Sequence, residues 1–319
     1  IWRLQRRYDK AVQSYERAES ALGKVSAGSA PERWQEWVQI QLERMWLHYW
    51  LGEWHHISAL ADQTRPIVEQ HGTPTQCISF FLSSASMYSR RDRYVISAET
   101  LAFCQTALAI SLESENLAEI AWARFMLGFS QLWCGNLDEA EKQMQEALEL
   151  AQRTGDVVHE SRCLTYLTVL HRMRSHLDET RQYASRSQAA AGAARMVEYT
   201  GMAQANRAWL AWREGDLAQA KADGRAALEL WRQLPASHSS CAFQWTALWP
   251  LIGVSVAQDQ IAEASGYARA LLHGSQQRLP ANLETAVGLA ARTFEEAGAE
   301  AARIHLTQAI ELAQELGYL

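Results

Sequence analysis

The sequence predicts an all-α chain, a solenoid of about seven to eight stacked helical hairpins, on three observations. A motif returns every forty residues, apolar residues recur at intervals of three and four, and no stretch alternates apolar and polar residues as a half-buried strand would. The motif is Gly135-Asn136-Leu137-Asp138-Glu139-Ala140, which returns as Gly215-Asp216-Leu217-Ala218-Gln219-Ala220 with Ser175-His176-Leu177-Asp178-Glu179-Thr180 halfway between them. Downstream, Ala147-Leu148-Glu149-Leu150 aligns with Ala227-Leu228-Glu229-Leu230 and, one period earlier, with Ala107-Leu108-Ala109-Ile110. Weaker copies stand at Tyr8-Asp9-Lys10-Ala11, at Gly52-Glu53-Trp54, at Asp259-Gln260-Ile261-Ala262 and at Ala309-Ile310-Glu311-Leu312.

Each element follows from its residues. Ala, Leu, Glu, Gln and Arg, all good helix formers, dominate both halves of the unit. Leu137, Ala140, Met144, Ala147, Leu148 and Ala151 place one apolar face on the second helix. Gly-Asn or Gly-Asp closes the first helix and offers a cap to the second. Further breaks at Thr154-Gly155-Asp156, Leu234-Pro235 and His273-Gly274 separate successive pairs. Gly128, Ala208, Ala140, Ala220, Ala147 and Ala227 let paired helices approach closely. The pattern divides the chain into a half repeat at 1–22 and full repeats at about 34–70, 76–114, 117–155, 157–193, 197–234, 240–274 and 282–316, all in one domain, 1–319.

This unit resembles the tetratricopeptide repeat family. The resemblance rests on the Leu-Gly pair at 127–128, the Gly-Asn/Asp-Leu turn and the Ala and Ala-Leu positions of the second helix. It implies a right-handed superhelix whose first helices line a concave groove. The usual period in that family is about 34 residues, so forty means longer helices or loops; a HEAT-type array has a similar period. Longer units of this kind, with Leu-Glu-Leu-Ala-Gln-Arg-Thr-Gly-Asp at 148–156, resemble the carboxy-terminal sensor regions of MalT-like signal-transduction ATPases.

Composition narrows the function. The 319 residues carry 30 Lys+Arg against 36 Asp+Glu, a net charge of −6, which disfavours a surface built to wrap nucleic acid. The Arg90-Arg91-Asp92-Arg93 run reads as a solvated loop between helices. No apolar run reaches the ~18 residues of a membrane span. Five scattered cysteines without a CxxC fit reduced thiols and a cytoplasmic location. Ile1 opens directly into Trp2-Arg3-Leu4, which reads as a piece of a longer, multidomain protein. Phosphate-loop, dinucleotide, zinc-protease and nucleophile-elbow motifs are absent. His55-His56, and His159 with Cys163, each offer too few ligands for a metal centre. The expectation is a non-enzyme with no cofactor and no metal.

Tryptophan is the anomaly, at 13 residues. Counted from the repeat glycine, Trp46, Phe129 and Trp209 are equivalent, as are Tyr49, Arg172 and Trp212, and as are Trp50, Trp133 and Arg213. Trp122 and Phe125 extend the stripe on the helix of Phe129. Ser130 and Gln131, polar residues at what would otherwise be buried places of that helix, favour an exposed Trp133. Under the resemblance, these eleven residues face the groove; packing between repeats is the competing reading. Aromatic side chains carry ~150–250 Å² each, and arginine adds a fork for carboxylates or a stack on rings. The expected function is a non-catalytic sensor or binding module of a signal-transduction or transcription regulator. Its groove would hold a protein or peptide segment, or a small effector such as a sugar, a peptide or an aromatic molecule; upstream domains of the parent chain are further partners. The alternative is a protein-interaction scaffold or self-association domain without a small ligand. Trp245, Trp249 and Pro250 predict a distorted helix.

Overall fold

The structure is a computed structural model that describes residues 7–26, 28–234 and 241–319. The start of the half repeat and most of the break after Leu234 lie outside the described residues. Within them the chain forms fifteen α-helices and no strand. Backbone contacts divide it into two compact units, Ile1–Gly135 and Asn136–Leu319, the division falling inside the hairpin read at 117–155.

The first unit holds α1 (Tyr8–Leu22), α2 (Pro31–Leu51), α3 (Trp54–His71), α4 (Pro74–Arg91), α5 (Ala98–Glu113) and α6 (Leu117–Trp133). Each packs on the next, and α2, α4 and α6 also touch one another in succession, forming a layer of first helices. Helix starts follow the capping logic: Thr73 and Gln76 form a reciprocal capping box before α4, and the Asn116 side chain accepts from the Ala118 and Glu119 amides. Between the layers, Phe80, Phe81 and Phe103 are buried.

The second unit holds α7 (Leu137–Thr154), α8 (Val157–Met173), α9 (Leu177–Ala193), α10 (Val197–Arg213), α11 (Leu217–Arg232), α12 (Trp245–Ala257), α13 (Ile261–Leu271), α14 (Ala281–Ala297) and α15 (Ala299–Glu315). Here α8, α10 and α12 form the layer of first helices. The turns explain the repeat's most regular feature. Gly52, Gly135 and Gly215 take φ of 74°, 81° and 81°, and Ser175, which replaces glycine in the third copy, takes 57°. A left-handed residue after each first helix reverses the chain and satisfies its last carbonyls, as when the Asp216 amide donates to the Ala211 carbonyl at 2.9 Å.

The unit departs from regularity at its end. Helix α12 is apolar all round, with Trp245, Leu248, Trp249, Leu251 and Ile252 buried, because it is covered on every side. Among the described residues α15, not α14, packs on α12. The second helix of the last hairpin thereby takes the place a first helix would hold, and it delivers Gly317, Tyr318 and Leu319 to the layer of first helices.

Candidate functional site

In the second unit the layer of first helices converges on Arg172. This side chain is wholly buried, at 0% exposure, near the end of α8. Its Nη1 donates to the Thr246 carbonyl at 2.7 Å and to Asn206 Oδ1 at 3.3 Å, and its Nη2 donates to the Tyr318 carbonyl at 2.7 Å. The guanidinium carbon lies 5.5 Å from the Trp209 ring centroid and 5.0 Å from that of Trp245. No Asp or Glu pairs with it among the described residues, and its Nε has no hydrogen-bond partner. Burial therefore pushes its pKa well down from the ordinary arginine value. A desolvated cation held only by neutral acceptors and ring faces is costly.

Pro250 explains one of these contacts. Lacking an N–H, it cannot bond the carbonyl four residues earlier, which is that of Thr246. Arg172 supplies the missing donor. Pro250 thus has a structural consequence: it leaves the Thr246 main-chain oxygen available to the site.

The segment 317–319 closes the site. Trp209, also at 0% exposure, donates from Nε1 to the Leu319 carbonyl at 3.0 Å. The Tyr318 ring rests on Trp245 with centroids 4.7 Å apart, and burial pushes its hydroxyl pKa up to about 12. Gly317 adopts φ of 76°, and a Cβ there would strike the Met173 carbonyl oxygen and lie 3.0 Å from the Met173 Cα. Only glycine fits both the turn and the approach.

These positions correct part of the sequence expectation. Arg172 and Trp209 do not line an open groove; residues 317–319 cover them. Trp212 is half-buried and packs against α12, where a Cβ on Gly253 would come within 2.9 Å of its ring. Arg213 is exposed, bonds Ser175 Oγ at 3.2 Å and places its guanidinium carbon 5.2 Å from the Trp209 ring, on which Arg172 also lies. Asn206, Trp245, Thr246 and Tyr318 were not anticipated; Pro250 was the one sequence signal that could have pointed to Thr246.

The first unit has its own aromatic face. Tyr49 is the hub of a half-buried cluster: Trp46, Trp50 and Trp54 meet it edge-on at 5.3, 5.2 and 5.9 Å between centroids. Arg90 donates to its hydroxyl at 2.7 Å with the guanidinium carbon 5.1 Å from its ring. Arg90 lies in the last turn of α4 and is not the solvated loop residue expected. On α6, Trp122, Phe125, Phe129 and Trp133 form a ladder with successive centroid separations of 5.6, 6.0 and 5.9 Å. Tyr94, from the turn after α4, adds an edge contact to Phe129. Phe125 and Phe129 are buried, and Trp122 and Trp133 half-buried. Ser130 and Gln131 are buried too, so their polarity does not turn Trp133 outward; the Ser130 hydroxyl lies 3.4 Å from the Cys104 thiol.

The turn between α2 and α3 brings together His48, Glu53 and His56, whose ligand atoms lie within 4.8 Å of one another. His55, the expected neighbour of His56, is not among them. His48 Nδ1 lies 2.6 Å from Glu53 Oε2, and the two imidazoles stack at 5.1 Å. These three residues could hold a divalent cation; His159, by contrast, pairs at 2.6 Å with Asp156, the cap of α8.

No known family and no curated protein matches the sequence. Solved structures do match the fold. NprR, crystallised in complex with its cognate peptide NprX, superposes with a TM-score of 0.66 at 14% identity, over 96% of this chain and 88% of its own. Aspartyl phosphate phosphatase F from Bacillus subtilis gives 0.61 at 11% identity, over 88% of this chain and 72% of its own. BtubC from P. vanneervenii gives 0.56 at 20% identity, over 71% of this chain and 90% of its own. The chain therefore has a helical-repeat fold like theirs. At these identities the likeness is one of fold.

Proposed function

We propose that this chain is a non-catalytic module that binds an extended protein or peptide segment against its layer of first helices. The observation that carries this reading is the pocket of Arg172 and Trp209, whose two buried donors grip the main-chain carbonyls of Tyr318 and Leu319. Donors that hold main-chain oxygens recognise a chain by its backbone, with adjoining pockets reading side chains. The aromatic ladder of α6 and the Tyr49 cluster offer further surface of the same chemistry in the first unit. That NprR has this fold and was crystallised with a peptide supports the reading without fixing the ligand. We assign the module to a regulator, of the kind the forty-residue repeat resembles in MalT-like ATPases, in which segment binding shifts a switch elsewhere in the parent protein.

Panning a library of displayed random nonapeptides over the full chain tests the proposal. Enriched peptides are expected to bind at micromolar Kd and to shift Trp emission. The panning is run in parallel on the Gly317→Val variant. Absence of enrichment on both folded proteins would refute peptide binding. Trp209→Ala is unsuitable as a binding-site probe, because the indole is core and its loss costs stability of about 3–5 kcal/mol.

A further inference from the structure

We infer that the pocket of Arg172, Asn206, Trp209, Trp245 and Thr246 is a peptide-chain site that Tyr318-Leu319 fills in cis. An incoming segment with an aromatic residue followed by a large aliphatic one must then displace this tail. The inference rests on the peptide-binding reading above and adds the ligand chemistry and the regulation.

Four features support it. The tail is held through its backbone: Arg172 Nη2 bonds the Tyr318 carbonyl and Trp209 Nε1 the Leu319 carbonyl, bonds that any extended segment can supply. The side-chain contacts are those of a pocket reading an aromatic–aliphatic pair. Tyr318 packs at a tilt against Trp245, and Leu319 is 1% exposed. The receptor is not fully satisfied by its occupant, since Arg172 keeps an idle Nε and a charge without a carboxylate. A segment with an acidic group can improve on the tail there. Finally, the occupant belongs to no helix: it follows α15 through one turn at Leu316 and Gly317, with the Tyr318 and Leu319 amides donating to the Ala313 carbonyl.

Gly317 supplies the lever. A valine at 317 would have to hold a left-handed φ while its Cβ collides with the Met173 carbonyl, so Gly317→Val expels the tail and leaves every pocket residue unchanged. The double substitution Tyr318→Ala/Leu319→Ala weakens the tail by a different route. The probe is a fluorescein-labelled peptide of residues 312–319 with an amidated end, titrated by anisotropy against the full wild-type chain and both variants.

At least tenfold tighter binding to both variants than to wild type is expected. No binding is expected for the same peptide with Ala in place of Tyr and Leu. Equal affinity for wild type and variants, or no binding to variants whose circular dichroism matches wild type, would overturn the inference. A wild-type dimer that dissociates on Gly317→Val would also overturn it, since the tail would then fill a second copy's pocket. Library peptides that bind wild type and Gly317→Val equally well would sink the cis occupancy alone and leave the peptide-binding reading standing.

Discussion

Gly201 sets the approach of α10 to α11, and replacing it tests the packing on which the second unit depends. Glycine inside a helix is ordinarily about 1 kcal/mol worse than alanine, so Gly201→Ala should stabilise the chain if the space were open. It is not: a Cβ there would lie 2.8 Å from Trp231 Cε2 and 2.9 Å from its Cδ1. The obstacle is the rigid edge of an indole that is buried and fixed by its Nε1 donating to the Glu198 carbonyl at 2.9 Å. Overpacking costs about 1–3 kcal/mol, and displacing the indole forfeits a hydrogen bond of about 1 kcal/mol. Set against the helical gain, the net is a loss of about 1–3 kcal/mol. Gly266 in α13 is the control, with no atom within 4 Å of its would-be Cβ. Gly266→Ala should stabilise by about 0.5–1 kcal/mol. Urea denaturation of the full chain with unchanged m reads both signs. A Gly201→Ala midpoint at or above wild type, alongside a raised Gly266→Ala midpoint, would refute the close approach of α10 and α11.

The remaining expectations concern charge and thiols. Glu263 on α13 accepts from Lys221 at 3.0 Å, from Arg225 at 2.5 Å and from Tyr267 at 2.8 Å. Burial works to raise its pKa, but the three donors together outweigh it and hold the carboxyl at about 2, below the ordinary 4.5. Its contribution is therefore full above pH 4.5 and is lost as pH falls toward 2. Glu263→Gln should lower stability by about 1–2 kcal/mol at pH 7 and flatten the acid limb of the stability profile; an identical profile would refute the pairing. Burial pushes the Cys104 thiol up to about 11 and Cys163 up to about 12, while Cys134 is exposed. A thiol reagent at pH 8 should modify Cys134 in the native chain and reach Cys104 and Cys163 only on unfolding; prompt native labelling of Cys163 would contradict its burial.

The helices were legible in the sequence because their turns are. A left-handed residue must follow each first helix, and Gly135 and Gly215 announce it. Ser175, at φ 57°, could be placed only by its period, since serine does not advertise that conformation. The stripe of Trp122, Phe125, Phe129 and Trp133 was likewise legible, because residues on one helix keep their spacing whatever packs on them. Their exposure was not: the same stripe serves a groove or an interface, and the partner decides. Arg172 illustrates the limit. Its carbonyl partners come from Thr246 and Tyr318, far along the chain, and from an irregular end in which α15 takes a first helix's place. No periodic pattern encodes a departure from the period.

The imino acid in α12 has a consequence for how this chain can change over time. A residue with an amide hydrogen at 250 would reclaim the Thr246 oxygen for the helix ladder, and the guanidinium would face a rival for it. Pro250 and Arg172 are therefore coupled through one oxygen, although the two occupy different hairpins. Lineages that lose the proline should drift to an uncharged residue at 172, and the paired exchange should be gentler than the two single exchanges added together.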